Sequence, residues 1–222
     1  MAIAFDTASN GTYGATAASI SWSHTCSGSN RLLIVCVGED YAINGGNPIT
    51  GVTYNGVAMT LWKRQLALSS VNYASVWYLV APATGTNTIT VTGSISNTWE
   101  LAGCSASYTG VDQTTPLTNS TDSTYSGGTT PSVTLTPTNS GSWVGACIGN
   151  RGGAKSAGAS TTERAEESNS QAAIYDNNLA ITPSASTTIN MVQTTDSGLA
   201  VMGYAIKPFV VPATTSSFFQ FF

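Results

Sequence analysis

Thr88-Ile89-Thr90-Val91-Thr92 and Ser132-Val133-Thr134-Leu135-Thr136 alternate apolar and hydroxyl-bearing side chains without a break. Successive side chains of an extended strand point to opposite faces, so each run lays one face on a core and turns the other to water. Strands of this kind belong to antiparallel sheets. Leu32-Leu33-Ile34-Val35-Cys36-Val37 is apolar at every position instead, which predicts a central strand covered on both faces. Between the runs Gly51 to Tyr54 and Val57 to Trp62 stands Asn55-Gly56, the dipeptide that accepts the two positive φ angles of a type I′ turn. A tight hairpin is expected there.

Outward from these stretches, thirteen short strand-like runs between Ile3 and Ile206 are separated by Gly, Asn, Ser and Thr clusters. Helical periodicity is nearly absent, and regular strand spacing of this kind marks a sandwich or barrel. The expected fold is all-β: one antiparallel β sandwich of two packed sheets over residues 1–207, followed by an extended aromatic tail over 208–222. Ser160 and Glu163 have capping-box spacing, but the stretch carries too few apolar residues to dock a helix. It reads as an exposed edge strand or loop.

Only 8% of the 222 residues are charged, so solubility must come from Ser, Thr and Asn, where ordinary chains use roughly a quarter charged residues. Eleven acidic against seven basic residues leave a net charge of -4. No basic patch exists to neutralise a phosphate backbone, which excludes nucleic acid as a partner. No run approaches the ~18 apolar residues of a membrane-spanning helix, so no membrane partner is expected. Met1-Ala2-Ile3-Ala4-Phe5-Asp6 has neither the basic nor the apolar region of a secretory leader.

The chemistry-bearing residues are few. His24 is the single histidine, and Cys26, Cys36, Cys104 and Cys147 contain no C-x-x-C pair, so no zinc site is expected. Cys36, Cys104 and Cys147 sit within apolar runs and read as small, reduced core residues. Gly149-Asn150-Arg151-Gly152-Gly153-Ala154-Lys155-Ser156 departs from a phosphate-binding loop at Ala154, which replaces the second glycine. Such a loop also needs a following helix, so a hairpin is expected and no nucleotide. Glu39, Asp40 and Glu100 are the carboxylates available for a glycosidase pair, yet nothing in the sequence sets two of them face to face. A Ser-His-Asp triad would have to use His24, which shares a strand face with Ile20 and Trp22. Trp62, Trp77, Trp99 and Trp143, with Tyr54, Tyr73, Tyr78 and Tyr108, either form a sugar-stacking platform or fill the core. The expectation is a non-enzymatic chain without a cofactor.

The last segment stands apart. Phe209-Val210-Val211-Pro212, a Thr/Ser spacer and Phe218-Phe219-Gln220-Phe221-Phe222 carry no charge. Pro208 and Pro212 argue for an extended tail outside the sheet. Burying a Phe side chain is worth about 1.5–3 kcal/mol, so a tail holding Phe209, Phe218, Phe219, Phe221 and Phe222 is expected to be covered by an assembly.

Several phrases carry a resemblance, in order, from about Phe5 to Pro208: Ile20-Ser21-Trp22-Ser23-His24-Thr25, Ser29-Asn30-Arg31-Leu32-Leu33-Ile34-Val35, Ile49-Thr50-Gly51-Val52-Thr53-Tyr54-Asn55-Gly56-Val57-Ala58-Met59-Thr60, Val76-Trp77-Tyr78-Leu79-Val80, Tyr108-Thr109-Gly110-Val111-Asp112-Gln113-Thr114-Thr115-Pro116-Leu117, and Ala200-Val201-Met202-Gly203-Tyr204-Ala205-Ile206-Lys207-Pro208. They resemble a β-sandwich module of tailed-phage structural proteins and bacterial surface proteins. The resemblance implies a jelly-roll-like sandwich with a structural or adhesive role and supplies no catalytic residue. With no leader and an aromatic tail, the expectation is a virion protein assembled in the host cytoplasm, as a capsid decoration or on the tail surface. Its partners would be further copies of itself, in a trimer for example, and capsid or tail proteins. The alternative is a carbohydrate-binding module or adhesin that meets host-surface glycans.

Overall fold

The computed structural model describes residues 1–15, 17–41, 49–67, 72–93, 99–125, 129–150, 153, 155–169, 171–183, 185–194 and 198–211. Among the described residues there are strands and no helix. The first half of the chain holds β1 (Ala4–Ala15), β2 (Ser19–Cys26), β3 (Leu32–Tyr41), β4 (Ile49–Tyr54), β5 (Val57–Ala58), β6 (Thr60–Leu66), β7 (Asn72–Val80), β8 (Gly85–Gly93) and β9 (Trp99–Thr109). The second holds β10 (Leu117–Tyr125), β11 (Ser132–Leu135), β12 (Trp143–Asn150), β13 (Lys155–Ala157), β14 (Thr162–Glu166), β15 (Ala172–Asp176), β16 (Thr187–Gln193) and β17 (Leu199–Ile206).

These strands form two sandwiches of one topology. In the first half the sheet β1-β9-β3-β7-β6 faces the sheet β2-β8-β4-β5, and in the second β10-β17-β12-β15-β14 faces β11-β16-β13. All pairings are antiparallel, and apart from the hairpin neighbours β4–β5, β6–β7 and β14–β15 successive strands alternate between the facing sheets as a jelly roll winds. Register makes the correspondence residue by residue. Cys36 pairs with Cys104 and Val76, while Cys147 pairs with Met202 and Ile174. Even the irregularities match: β6 slips between Leu61 and Lys63, and β14 between Glu163 and Ala165, each against the corresponding residues of its neighbour, Trp77 and Val76 or Tyr175 and Ile174.

The two large sheets pack on each other through equivalent faces, so four layers stack where two were expected over 1–207. Leu32, Ile34 and Cys36 of β3 meet Cys147 of β12 and Met202 and Tyr204 of β17 in the central cluster. The alternate residues Leu33, Val35 and Val37 face β2, β4 and β8, and Val144, Ala146 and Ile148 face β11 and β16. This is why β3, β15 and β17 are apolar and buried on both faces, as anticipated for Leu32–Val37. The outer strands keep their alternation: in β8, Ile89 and Val91 are buried while Thr88 and Thr92 are exposed. Asn55 and Gly56 take φ of 51° and 74°, giving the predicted hairpin between β4 and β5. Ser160 has φ 56°, and the stretch after it is the edge strand β14.

The strand directions sort the connections into two ends. One end, here the base, gathers the β2–β3, β7–β8, β9–β10, β11–β12, β13–β14 and β15–β16 connections, the β4–β5 hairpin and the chain from Ile206 onward. The remaining connections form the opposite end, the crown.

Candidate functional site

The base carries both described chain ends. Pro208 bridges Val111, the Phe209 amide donates to the Gly110 carbonyl at 2.8 Å, and the Met1 ammonium donates to the Phe209 carbonyl at 2.8 Å. Phe209 thus stays half-buried against the body, and the chain leaves it at Val210. Phe218, Phe219, Phe221 and Phe222 lie outside the described residues. Around the exit point Met1 is 59%, Leu179 66%, Val210 68% and Val211 67% exposed, a concentration of apolar side chains where the chain goes on to its Thr/Ser spacer and phenylalanines.

Two grooves meet there. A groove of ≈ 440 Å³ is lined by Met1, Ala2, Gly141, Pro208, Val210 and Val211 among others, its one charge the Met1 ammonium held by the Phe209 carbonyl. It touches Ala180, which also borders a second groove of ≈ 840 Å³. That one mixes hydroxyls and amides, among them Thr161, Thr162, Asn177 and Asn190, with the apolar Leu179, Ala180, Ile181 and Ala185. Its shape is fixed by the wall's own bonds: Thr161 Oγ1 accepts from the Asn190 amide at 2.9 Å, and Asn177 Nδ2 donates to the Leu179 carbonyl at 2.7 Å. Sequence reading singled out Phe209 here and missed both grooves; the smaller joins residues from Met1 to Val211, and the larger lies within residues 160–190.

The other candidate residues are committed elsewhere. His24 is buried, with Nδ1 3.0 Å from the Ser9 and Ser105 hydroxyls. Burial lowers its pKa to about 4, against a smaller opposing pull from Asp6. The Asp6 carboxylate accepts from the Ser27 amide and hydroxyl and from the Ser107 hydroxyl. Trp22 Nε1 donates to Ser105 Oγ at 3.0 Å, leaving the Ser105 hydroxyl proton for His24 Nδ1. The neighbourhood is a packed polar network within the core.

Glu39 and Glu100 lie on opposite faces of one sheet. Glu39 accepts from Arg64 at 2.8 Å and from Ser75 at 3.2 Å, and Glu100 accepts from Gln171 Nε2 at 2.8 Å. They form no carboxylate pair, and the Asp40 side chain lies outside the description. Within the motif that resembled a phosphate-binding loop, Lys155 is a buried strand residue with Nζ 3.8 Å from Glu166 Oε1. Burial lowers its pKa to about 8, opposed by Glu166 and then Glu167. A strand follows where phosphate binding requires a helix N-terminus. All four cysteines are buried and free.

The aromatic side chains fill cores. Tyr54, Tyr108, Trp77 and Trp143 are buried; Tyr108 packs edge-on against Phe5 at 6.1 Å and Trp143 at 6.2 Å. Half-buried Trp62 and Tyr78 meet edge-on at 6.2 Å, and Tyr73 lies beneath the Arg64 guanidinium at 3.9 Å. A stacking platform is not assembled from these residues; the Trp99 side chain lies outside the description.

No protein-family model matches the chain, and no curated protein sequence matches it. Among solved structures, the crystal structure of the major capsid protein P2 from Bacteriophage PM2 is similar over 95% of this chain and 99% of that one, at 8% identity and a TM-score of 0.30. A likeness of that degree carries no argument about residues or activity.

Proposed function

We propose that this chain is a non-enzymatic structural protein of a bacteriophage particle, a capsid decoration or tail-surface protein held by its base. The carrying observation is that residues 1 and 209 are tied together at one end of a four-layer stack, amid exposed Met1, Leu179, Val210 and Val211. An apolar segment that continues from that end is suited to anchoring, and the crown is then the face turned outward. The resemblance of several phrases to a module of phage structural proteins and bacterial surface proteins is compatible with the same reading. Of the titratable groups considered for catalysis, His24, Glu39 and Glu100 are engaged in the core or at sheet ends, which supports a role in assembly over chemistry.

The test is particle occupancy. Removing residues 212–222 leaves the described body intact and is expected to abolish incorporation into purified particles. A truncated chain found on particles at unchanged occupancy overturns the anchoring role.

A further inference from the structure

The two sheets of the second sandwich end in adjacent edge strands. β13 is three residues long and pairs only with β16, while β14 pairs only with β15. Between them the Lys155 side chain is wholly buried and that of Glu166 is 18% exposed. A buried ammonium needs close acceptors for its three protons. Among the described residues, Lys155 Nζ meets the Gly153 carbonyl at 3.5 Å and Glu166 Oε1 at 3.8 Å, both beyond the roughly 2.7–3.2 Å of a well-made N–H···O bond. Burial lowers its pKa to about 8, which raises the share of neutral, nucleophilic amine.

The carboxyl group is held beside that amine. Glu166 Oε1 also accepts from the Lys155 backbone amide at 3.0 Å. A bulge brings a second carboxyl to the same face: pairing slips between Glu163 and Ala165, so Glu163 opposite Tyr175 and Glu166 opposite Ala173 both point toward the core those two residues share. Partial burial, and after it the Glu166 carboxylate, raise the Glu163 pKa, so Glu163 retains a proton beside the pair.

We propose that Lys155 and Glu166 condense into an intramolecular amide bond, a covalent staple between the two edge strands. Glu163 passes its proton to the Glu166 carboxylate, and the lone pair of the neutral Lys155 amine forms the new N–C bond at Cδ of Glu166. The C–O bond to the hydroxyl breaks, and that hydroxyl leaves with one proton from the nitrogen as water. Glu163 is left as a carboxylate, and nothing is oxidised or reduced. A neutral amide thereby replaces an ion pair that is costly to desolvate. The staple goes beyond the anchoring role, since it concerns the durability of the body rather than its attachment.

Mass spectrometry of the intact, denatured full chain tests this. The expected mass is one water below that of the sequence, and proteolysis should release a branched peptide joining Lys155 to Glu166. Lys155→Ala and Glu166→Ala should each show the full mass of their own sequence. Glu163→Gln, which has no proton to pass, should leave most chains unlinked; linkage at the parent's level in that variant overturns the relay. A folded parent chain at its full sequence mass overturns the staple without recourse to any variant, as does a water loss that persists in Lys155→Ala or maps to other residues. Particle occupancy is read separately: an unlinked chain that still needs its tail for incorporation defeats the staple and leaves the anchoring reading standing.

Discussion

Gly38 of β3 and Gly149 of β12 hold the same place in the two halves, each two residues beyond a central cysteine, and each lies against the opposite half. A Cβ on Gly38 would fall 2.3 Å from the Gln171 carbonyl oxygen, and one on Gly149 would fall 2.5 Å from Ala74 Cβ and 3.0 Å from its Cα. The obstacles correspond as well: the Tyr73 carbonyl, 3.3 Å from a Cβ on Gly149, precedes Ala74 as Gln171 precedes Ala172, and Ala74 and Ala172 are the in-sheet partners of Gly38 and Gly149. The central interface therefore has approximate two-fold character, with glycine required where the halves approach through backbone.

Gly38→Ala and Gly149→Ala are each expected to destabilise the fold by about 1–3 kcal/mol or more, the usual scale of overpacking. Gly38→Ala should cost more, because its obstacle is a carbonyl oxygen rather than a methyl group. Urea denaturation compares them. Equal stability to the parent in both variants would mean that the halves can part without loss.

Across the same interface Tyr108 donates its hydroxyl to Asp176 Oδ2 at 2.9 Å, and Arg164 holds both oxygens of Asp176 at 2.7 and 2.9 Å. Arg164 also lies over the Phe5 ring at 4.2 Å. Asp176→Ala leaves a mostly buried guanidinium without its carboxylate and is expected to cost about 3–5 kcal/mol. Tyr108→Phe removes one bond to a carboxylate that keeps its other donors, so about 1–2 kcal/mol is expected. A double-mutant cycle between the two positions should show coupling; strict additivity would mean that the hydroxyl contributes nothing across the interface.

Much of this architecture was legible strand by strand. The alternation of Thr88–Thr92 located β8, Asn55-Gly56 located the β4–β5 hairpin, and the unbroken apolarity of Leu32–Val37 announced a strand covered twice. Doubling of the sandwich was carried by weaker signals. Cys36-Val37-Gly38 answers Cys147-Ile148-Gly149, and Ala74-Ser75-Val76-Trp77 answers Ala172-Ala173-Ile174-Tyr175. These short matches keep identity at the small residues Cys, Gly and Ala and vary elsewhere, because packing constrains which face a residue meets more than which apolar residue it is. A better clue was the number of runs apolar at every position, since a two-layer sandwich leaves the outer face of each sheet wet. At the candidate site only the composition of the tail was visible. The smaller groove is made by Met1, Gly141, Ala180 and Val210, which become neighbours only after both halves have folded.

His24 predicts a pH dependence with a definite sign. An unfolded histidine titrates near 6.5, whereas burial holds folded His24 to about 4. Between those values the unfolded chain binds a proton that the folded chain refuses, so stability falls as pH falls through that window. At pH 4 the contribution amounts to roughly 3 kcal/mol relative to neutral pH. His24→Gln should flatten the part of the stability profile between pH 4 and 6.5. A profile that keeps its slope in that variant would assign the dependence to carboxylates instead.

The four thiols provide a probe of the layers. Cys36, Cys104 and Cys147 lie in the central cluster and Cys26 in the first sandwich. All four are expected to resist labelling in the native protein and to react after unfolding without reductant. Fewer than four reactive thiols in the unfolded chain would reveal a disulfide.

The shared central core leads to a last prediction about the halves themselves. Leu32, Ile34, Cys36, Ala102, Cys104, Ala106 and Tyr108 are covered by the second half, through Cys147, Ile174, Met202 and Tyr204. Either half alone would present that sheet face to water, an apolar patch of the kind that drives association. The link between them passes through exposed Thr114 and Thr115, whose amides are capped by Asp112 Oδ1 at 2.9 and 2.8 Å. A protease site inserted between Thr114 and Thr115 should therefore be cut without release of either fragment. The two pieces are expected to co-elute until denaturant unfolds them together, and each piece isolated afterwards should bind a hydrophobic dye or aggregate. Fragments that part as soluble, folded monomers would show that each sandwich is stable without the central core.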